Sequence, residues 1–213
     1  MSTQQDIQLK SFNLALSPDD SASLIAGIKA VAGSAATDHF RDILTNILVT
    51  IEDNVVKLVA TNSYMLTVIT LKPWFDLPPG KFEFMVEAKS LVQGMPKAKK
   101  NESLQVGYDQ EAGTMSFTNQ SGGSYIATFR EGTFPAWENL TTDRETRATE
   151  PVTIGLNPAL VANLMKQAHV FRGKTDVPVV IQAPLTEMKP VHMHCNVIDR
   201  GEWYGLLMPV RLT

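Results

Sequence analysis

The feature that most constrains the fold is an order of secondary structure that the sequence repeats three times. In each copy, an alternating apolar segment predicts a strand, an apolar stripe at helical spacing predicts a helix, and runs rich in β-branched and aromatic residues predict further strands. Because a single unit of this kind cannot cover its own sheet, we expect the units to pack together in an α+β architecture, with helices on one face and antiparallel sheets on the other. Helices that all lie on one side suggest a curved or closed assembly.

Helix signals locate the three units along the chain. Ser17 and Asn157 are good N-caps, and each is followed by proline, which fits the first helical position. A shorter apolar stripe predicts the middle helix over residues 88–95. The predicted strands cover residues 12–16, 43–51, 55–61, 65–71, 81–86, 104–108, 114–118, 125–129, 152–156, 177–182, 191–198 and 203–211.

Composition excludes several classes of protein. With 44% hydrophobic and 19% charged residues among 213, the chain is of ordinary globular type. A net charge of -3 excludes a nucleic-acid binder that works by bulk positive charge, although it leaves room for a local basic patch. The single cysteine, Cys195, cannot form an intramolecular disulfide, and we expect it to be buried rather than nucleophilic. No apolar signal segment or membrane-spanning run is visible, so we expect a soluble, cytoplasmic protein.

The sequence offers little support for catalysis. It has no GxGxxG after a strand, no P-loop and no HExxH, and Gly122-Gly123 falls between two strands as a hairpin turn would. His192 and His194 would share one face of a predicted strand, which leaves a metal-dependent enzyme as one alternative. Because no third ligand accompanies them, we expect plain surface histidines, no metal, no cofactor and no enzymatic activity.

The basic residues have a more informative distribution, since they cluster in and just after the predicted helices while the acidic residues concentrate in turns and linkers. If the helices share one face, that face is positive and could follow a phosphate backbone without reading bases. The alternative is that these residues only complement the helix dipole. The set comprises Lys29, Lys89, Lys97, Lys99, Lys100, Lys166, His169, Arg172 and Lys174.

Three segments carry a resemblance to a known family. Residues 204–212, Tyr-Gly-Leu-Leu-Met-Pro-Val-Arg-Leu, resemble the closing strand of the bacterial β sliding clamp, the processivity factor of DNA polymerase III, which ends in Met-Pro-x-Arg-Leu. Residues 59–68 are similar to the family's Ala-Thr-Asp-Gly-His-Arg-Leu segment through Ala60, Thr61 and Leu66. Residues 131–135 are similar to its Gly-x-Phe-Pro turn.

The resemblance implies a ring around double-stranded DNA, with helices lining the hole and sheets forming the rim. The basic residues above would then contact the DNA backbone, loosely and through water, because a clamp must slide. Polymerases and other proteins would bind through short peptides, and a clamp loader is a further implied partner. Carried over by matched position, the peptide-binding residues are Leu44, Thr61, Tyr64, Met65, Leu66, Pro135, Leu140, Leu206, Leu207, Met208, Pro209, Val210, Arg211 and Leu212.

The chain departs from the family in size and in one motif. The family's Gly-His-Arg is Ser63-Tyr64-Met65 here, and three units replace six. Since the family's domains hold two units, we expect a complete domain over 1–138, with units near 7–72 and 80–130, and a half domain over 150–213. This suggests a shortened, phage-type clamp that self-assembles, because one chain is too small to surround DNA. The main alternative is a clamp-fold module that binds polymerase-type peptides without encircling DNA.

Overall fold

The computed structural model describes residues 10–73, 76–97, 101–141, 154–182 and 189–210. The strands in these ranges are β1 Ser11–Ala15, β2 Asn46–Glu52, β3 Val55–Thr61, β4 Met65–Leu71, β5 Phe82–Glu87, β6 Leu104–Asp109, β7 Thr114–Asn119, β8 Ser124–Arg130, β9 Val180–Gln182, β10 Val191–Val197 and β11 Gly201–Leu207. The helices are α1 Pro18–Val31, α2 Ala88–Gly94, α3 Glu138–Thr141 and α4 Pro158–Arg172, with 3-10 segments at Ala32–Ser34 and His39–Thr45.

The two long helices begin where the capping residues predict. Ser17 Oγ accepts a hydrogen bond from the backbone N–H of Asp20 at 3.1 Å, and Asn157 Oδ1 accepts one from Ala159 N–H at 2.9 Å. The proline that follows each cap occupies a position where no intrahelical N–H is needed. Helices α1 and α4 therefore start at their caps for local reasons that the sequence alone makes visible.

All the strands join one antiparallel sheet, in the order β1-β6-β7-β8-β5-β2-β3-β4-β11-β10-β9. The first strands of the first two units are exchanged: β1 pairs with β6, and β5 pairs with β2. The third unit joins the first through the antiparallel ladder between β4 and β11. A strand of the third unit thus extends the sheet of the first, although more than 120 residues separate β4 from β11.

Helices α1, α2 and α4 lie together on one face of the sheet. Helices α1, α2 and α4 each contact the 3-10 segment Ala32–Ser34. The main core, which contains Ile28, Leu58, Leu164 and Trp203, lies between these helices and the sheet. A smaller apolar cluster, which contains Leu66 and Trp137, is separate from it. Along β2, β3, β4, β5 and β11, alternation divides the buried side chains between these two clusters.

The structure shortens several of the predicted strands. Residues 43–45 belong to a 3-10 segment, because Thr45 Oγ1 donates to the carbonyl of Asp42 and fixes a tight turn there. Proline has no backbone N–H to donate to a neighbouring strand. Strand β9 therefore begins only after Pro178, and β11 ends before Pro209. Within the described part of 152–156, only Gly155 bridges, to Val210.

The histidine pair differs from the expectation of two surface residues. His192 is buried, and its Nδ1 shares a short hydrogen bond with the hydroxyl of Tyr204. Cys195 is buried on the opposite face of β10, as expected, and burial raises the pKa of its thiol. Within the described residues, no group of three or more His, Cys, Asp or Glu could hold a metal ion. None of the described helices is long and apolar enough to cross a membrane.

Candidate functional site

A cavity of about 410 Å³ opens beside the turn between β3 and β4. It brings together five of the residues expected to bind peptides, which come from distant parts of the sequence. These are Leu44, Thr61, Leu66, Pro135 and Leu140. The remaining lining residues are Arg41, Ile43, Ser63, Ala136 and Trp137, so the wall is largely apolar with one cation and a few hydroxyl groups. Such a lining suits a short segment with hydrophobic anchors.

Strand alternation sorts the expected residues of β4 and β11 between two faces. Leu66 pairs with Leu206, and both belong to the smaller apolar cluster with Trp137. Met65 pairs with Leu207, and both lie in the main core under the helices, at 4% and 0% exposure. Met65 and Leu207, which were also expected to contact a peptide, thus lie on the face of the sheet away from the cavity, since neighbouring residues of a strand point in opposite directions.

The end of β11 continues past the same turn. The backbone N–H of Met208 donates to the carbonyl of Tyr64 at 3.1 Å, which places residues 208–210 next to the β3–β4 turn. Tyr64, Met208 and Val210 are exposed large apolar side chains, and Pro209 is half-buried. Exposed apolar groups gathered at one site mark a surface for binding. Arg211 and Leu212, also expected here, lie outside the described residues.

Arg41 and Trp137 are lining residues that the sequence did not reveal. Arg41 interrupts the 3-10 segment His39–Thr45 with non-helical backbone angles, and its Nη1 donates to Ser63 Oγ at 2.7 Å. Trp137 is 8% exposed and precedes α3. Within the described structure its indole Nε1 has no hydrogen-bond partner. Both residues lie in irregular segments, where hydrophobic periodicity gives no signal.

The helix face carries basic residues without matching acids. Residues 21–31 of α1, together with the whole of α2 and α4, contain no Asp or Glu, whereas Lys29, Lys89 and Lys166 on these helices are all exposed. Lys29 and Lys89 line one groove of about 470 Å³ between α1 and α2. Glu87 also lines this groove, but Arg130 Nη2 lies 3.3 Å from its carboxylate. The groove is therefore a place where two lysines from different units come together.

The other basic residues expected on this face divide into three groups. Lys97, His169 and Lys174 are exposed. Arg172 is half-buried, and its Nη1 donates to the carbonyl of Val177 at 2.8 Å, so it holds the loop after α4. Lys99 and Lys100 lie outside the described residues. No salt bridge within the described ranges involves Lys29, Lys89 or Lys166, whereas Lys10, Lys81 and Arg130 elsewhere are paired with carboxylates.

Comparison with solved structures identifies the fold. The chain superposes on the DNA polymerase III beta subunit of Thermotoga maritima with a TM-score of 0.69 and 13% identity, covering 100% of this chain and 70% of that one. A putative beta subunit from Eubacterium rectale gives 0.73 and 12%, covering 97% and 68%. The sliding clamp of Pseudomonas aeruginosa gives 0.71 and 11%, covering 100% and 69%. No protein-family model and no curated protein matches the sequence.

The chain therefore has the fold of the DNA polymerase III beta sliding clamps. This confirms the predicted α+β class and the resemblance that the terminal segment indicated. The chain corresponds to about 70% of the length of these clamps. At 11–13% identity, the agreement is one of fold.

Proposed function

We propose that this protein is a DNA sliding clamp, a processivity factor that assembles as a ring around duplex DNA. The observation that carries the proposal is the charge of the helix face, where three helices present exposed lysines and, beyond the first turn of α1, contain no Asp or Glu themselves. The protein as a whole is acidic, with a net charge of -3. A basic face on an acidic body attracts the phosphate backbone while the rest of the protein is repelled from it.

Contacts of this kind permit sliding. The side chains of Lys29, Lys89 and Lys166 are exposed, long and flexible. Their ammonium groups can therefore contact phosphates loosely and through water. Their interaction with DNA would depend on salt and not on base sequence. The proposal divides the chain into a complete domain of two units, near 7–72 and 80–130 within 1–138, and a third unit over 150–213.

The second part of the proposal concerns the cavity beside the β3–β4 turn, through which the clamp would tether a polymerase and other replication proteins. The Pseudomonas aeruginosa clamp was solved with a ligand, and another structure of that protein with griselimycin. Here, Leu44, Leu66 and Leu140 supply an apolar wall, and Arg41 supplies a cation at its edge. A peptide with two or three hydrophobic anchors fits this lining, and an acidic group on the peptide would meet Arg41.

Retention on circular DNA tests the ring. Protein diluted until it dissociates is mixed with nicked plasmid and then concentrated, and the complex is filtered at about 0.2 M salt, where contacts by charge alone are weak. We expect the protein to elute with circular DNA and to be lost when a restriction enzyme linearises the plasmid. Equal retention on circular and linear DNA would contradict encirclement.

A peptide titration tests the pocket separately. We expect a fluorescent peptide carrying the hydrophobic anchors of a clamp-binding motif to bind the wild type, and Leu140→Asp to abolish binding. Leu140 is 49% exposed, so the variant should fold. Ile126→Asp, at a 65% exposed residue of β8, is the matched control. Peptide binding without any retention on circular DNA would favour a clamp-fold module that does not encircle DNA.

A further inference from the structure

The first two units of this chain exchange their first strands. Strand β1 of the first unit pairs with β6, the second strand of the second unit, from Ser11↔Asp109 to Ala15↔Gln105. Strand β5 of the second unit pairs in the same way with β2, from Asn46↔Glu87 to Ile51↔Phe82. In both cases, the strand that precedes a helix covers the outer edge of the other unit's three-stranded sheet.

The third unit has the two elements that such an exchange needs, an extended segment before its helix and an outer sheet edge. Within the described residues, neither element has an exchange partner. Its second strand, β9, is the last strand of the sheet and pairs only with β10. The segment Ile154–Leu156 precedes α4 as β1 precedes α1, yet its one backbone bridge joins Gly155 to Val210. An extended segment and an open sheet edge therefore lie in the same unit.

Strand β9 is less buried than β2 and β6, which are the second strands of the first two units. In β2 five of seven residues are buried, and in β6 four of six are buried, because each has a first strand against its edge. In β9 no residue is buried, and Val180 and Ile181 are 45% and 57% exposed. An apolar open edge is a template for another strand, and proteins normally cover or charge it. In the part of the chain that the structure describes, this edge is neither covered nor charged.

We propose that the third unit pairs with the third unit of a second copy of this chain by reciprocal strand exchange. Ile154–Leu156 of each copy would extend the sheet of the other along β9, as β1 and β5 do within the chain. The two copies of α4 would then lie side by side, as α1 and α2 do. The contact is self-complementary, so a two-fold axis relates the copies.

The symmetry fixes a property that can be measured. Because each copy has one such unit and the contact is two-fold, every closed particle that uses it contains an even number of chains. A head-to-tail ring of three chains is excluded. The interface deepens the proposed ring and rests on it for its functional meaning, but the mass of the free protein tests it without DNA.

The test is light scattering coupled to gel filtration on the full chain. We expect a mass that is an even multiple of 23.4 kDa. The double variant Val180→Asp, Ile181→Asp should lower the mass at least twofold, because two carboxylates on the edge oppose strand addition. Ile198→Asp, which places one carboxylate on an 81% exposed residue of the same unit, should leave the mass unchanged. A monomeric or trimeric wild type, or a double variant of unchanged mass, would overturn the interface.

Hydrogen exchange tests the interface in the wild type and so does not depend on the folding of the double variant. In the wild type, amides of residues 154–156 and 180–182 should become more protected as protein concentration rises, whereas those of β3 should not change. Protection independent of concentration at both segments would refute the exchange. A wild type of even mass that is not retained on circular DNA would leave the interface standing and remove the proposed function. Retention of the mass-reduced variant on circular DNA would support the proposed function and show that this interface is not needed for it.

Discussion

Arg41 and Ser63 are joined at the edge of the cavity, where Arg41 Nη1 donates a 2.7 Å hydrogen bond to Ser63 Oγ. Ser63 has a φ of 75°, in the left-handed region that glycine adopts most easily. The family motif has glycine where this chain has Ser63, and it has an arginine two residues further on, where this chain has the buried Met65. The cation at the pocket comes instead from Arg41, which lies more than 20 residues earlier and is positioned by the serine.

This relationship predicts that two substitutions of Ser63 differ in their effect on stability. Ser63→Gly removes the cost of a left-handed non-glycine residue, about 1 kcal/mol, whereas Ser63→Ala keeps that cost. Both remove the hydroxyl that positions Arg41. In urea denaturation, we expect the glycine variant to be more stable than the alanine variant by about 1 kcal/mol.

The two variants should agree in peptide titrations. Each should bind an acidic, hydrophobic peptide several-fold more weakly than the wild type, as Arg41→Ala should, because the guanidinium is no longer held at the cavity. Wild-type affinity in Ser63→Gly would mean that the hydrogen bond does not position Arg41 for binding.

The lysines of the helix face predict a change in the salt dependence of DNA binding. Replacing Lys29, Lys89 and Lys166 with alanine should reduce the slope of log K against log salt by up to about 2.7, at about 0.9 for each phosphate that is no longer neutralised. The matched control replaces Lys10, Lys57 and Lys81, which are exposed on other surfaces, and so removes the same net charge. If both triple variants change the slope equally, bulk charge and not the helix face governs DNA binding.

Local sequence signals predicted most of the helices and strands, because caps, prolines and β-branched runs act over a few residues. Ser17 and Asn157 located the starts of α1 and α4. The exchange of β1 and β5 could not be predicted in this way, since strand pairing between distant segments is not encoded in local periodicity. The same holds for the ladder between β4 and β11.

The candidate site was predictable only in part. Alternation correctly placed His192 and Cys195 on opposite faces of β10. It does not show whether both faces of the strand are covered. In the structure the face that carries His192 is also covered, and His192 contacts Tyr204 there. The resemblance supplied Met65 and Leu207 as part of continuous segments, although alternation turns both toward the main core. Trp137 lies in an irregular segment with no repeating pattern, so only the folded chain brings it to the cavity.

A buried polar cluster predicts how firmly the third unit is attached to the first. Thr67 Oγ1 donates to Gln167 Oε1 at 2.6 Å, and Gln167 Nε2 donates to Ser34 Oγ at 3.1 Å, so α4 is bonded to β4 and to the turn after α1. Gln167 is 3% exposed. Gln167→Ala should lower the free energy of unfolding by about 2 kcal/mol, because it leaves buried hydroxyl groups with fewer partners.

The adjacent exposed residue provides the control for this measurement. Lys166→Ala should change stability by less than about 0.5 kcal/mol in the same urea titration. Hydrogen exchange in Gln167→Ala should be faster along α4 than along α2, since only α4 loses its attachment. Equal stability of the two variants would show that apolar packing between α1 and α4 suffices to hold the third unit.

Burial of three weak acids predicts that the protein loses stability in alkaline solution. Burial raises the pKa of the Cys195 thiol above 9.0 and, with help from the Asp109 carboxylate, the pKa of the Tyr108 hydroxyl above 10.0; burial also raises the pKa of Tyr125. Above pH 9 the unfolded chain therefore loses protons that the folded chain keeps, so the free energy of unfolding falls as pH rises. Urea titrations from pH 7 to 11 should show this fall, and Cys195→Ala should lessen it between pH 9 and 10.

The same burial should make the native thiol of Cys195 react slowly with a maleimide at pH 8 and rapidly in urea. Stability that rises above pH 9, or a native thiol that reacts as fast as the unfolded one, would contradict the buried position of Cys195.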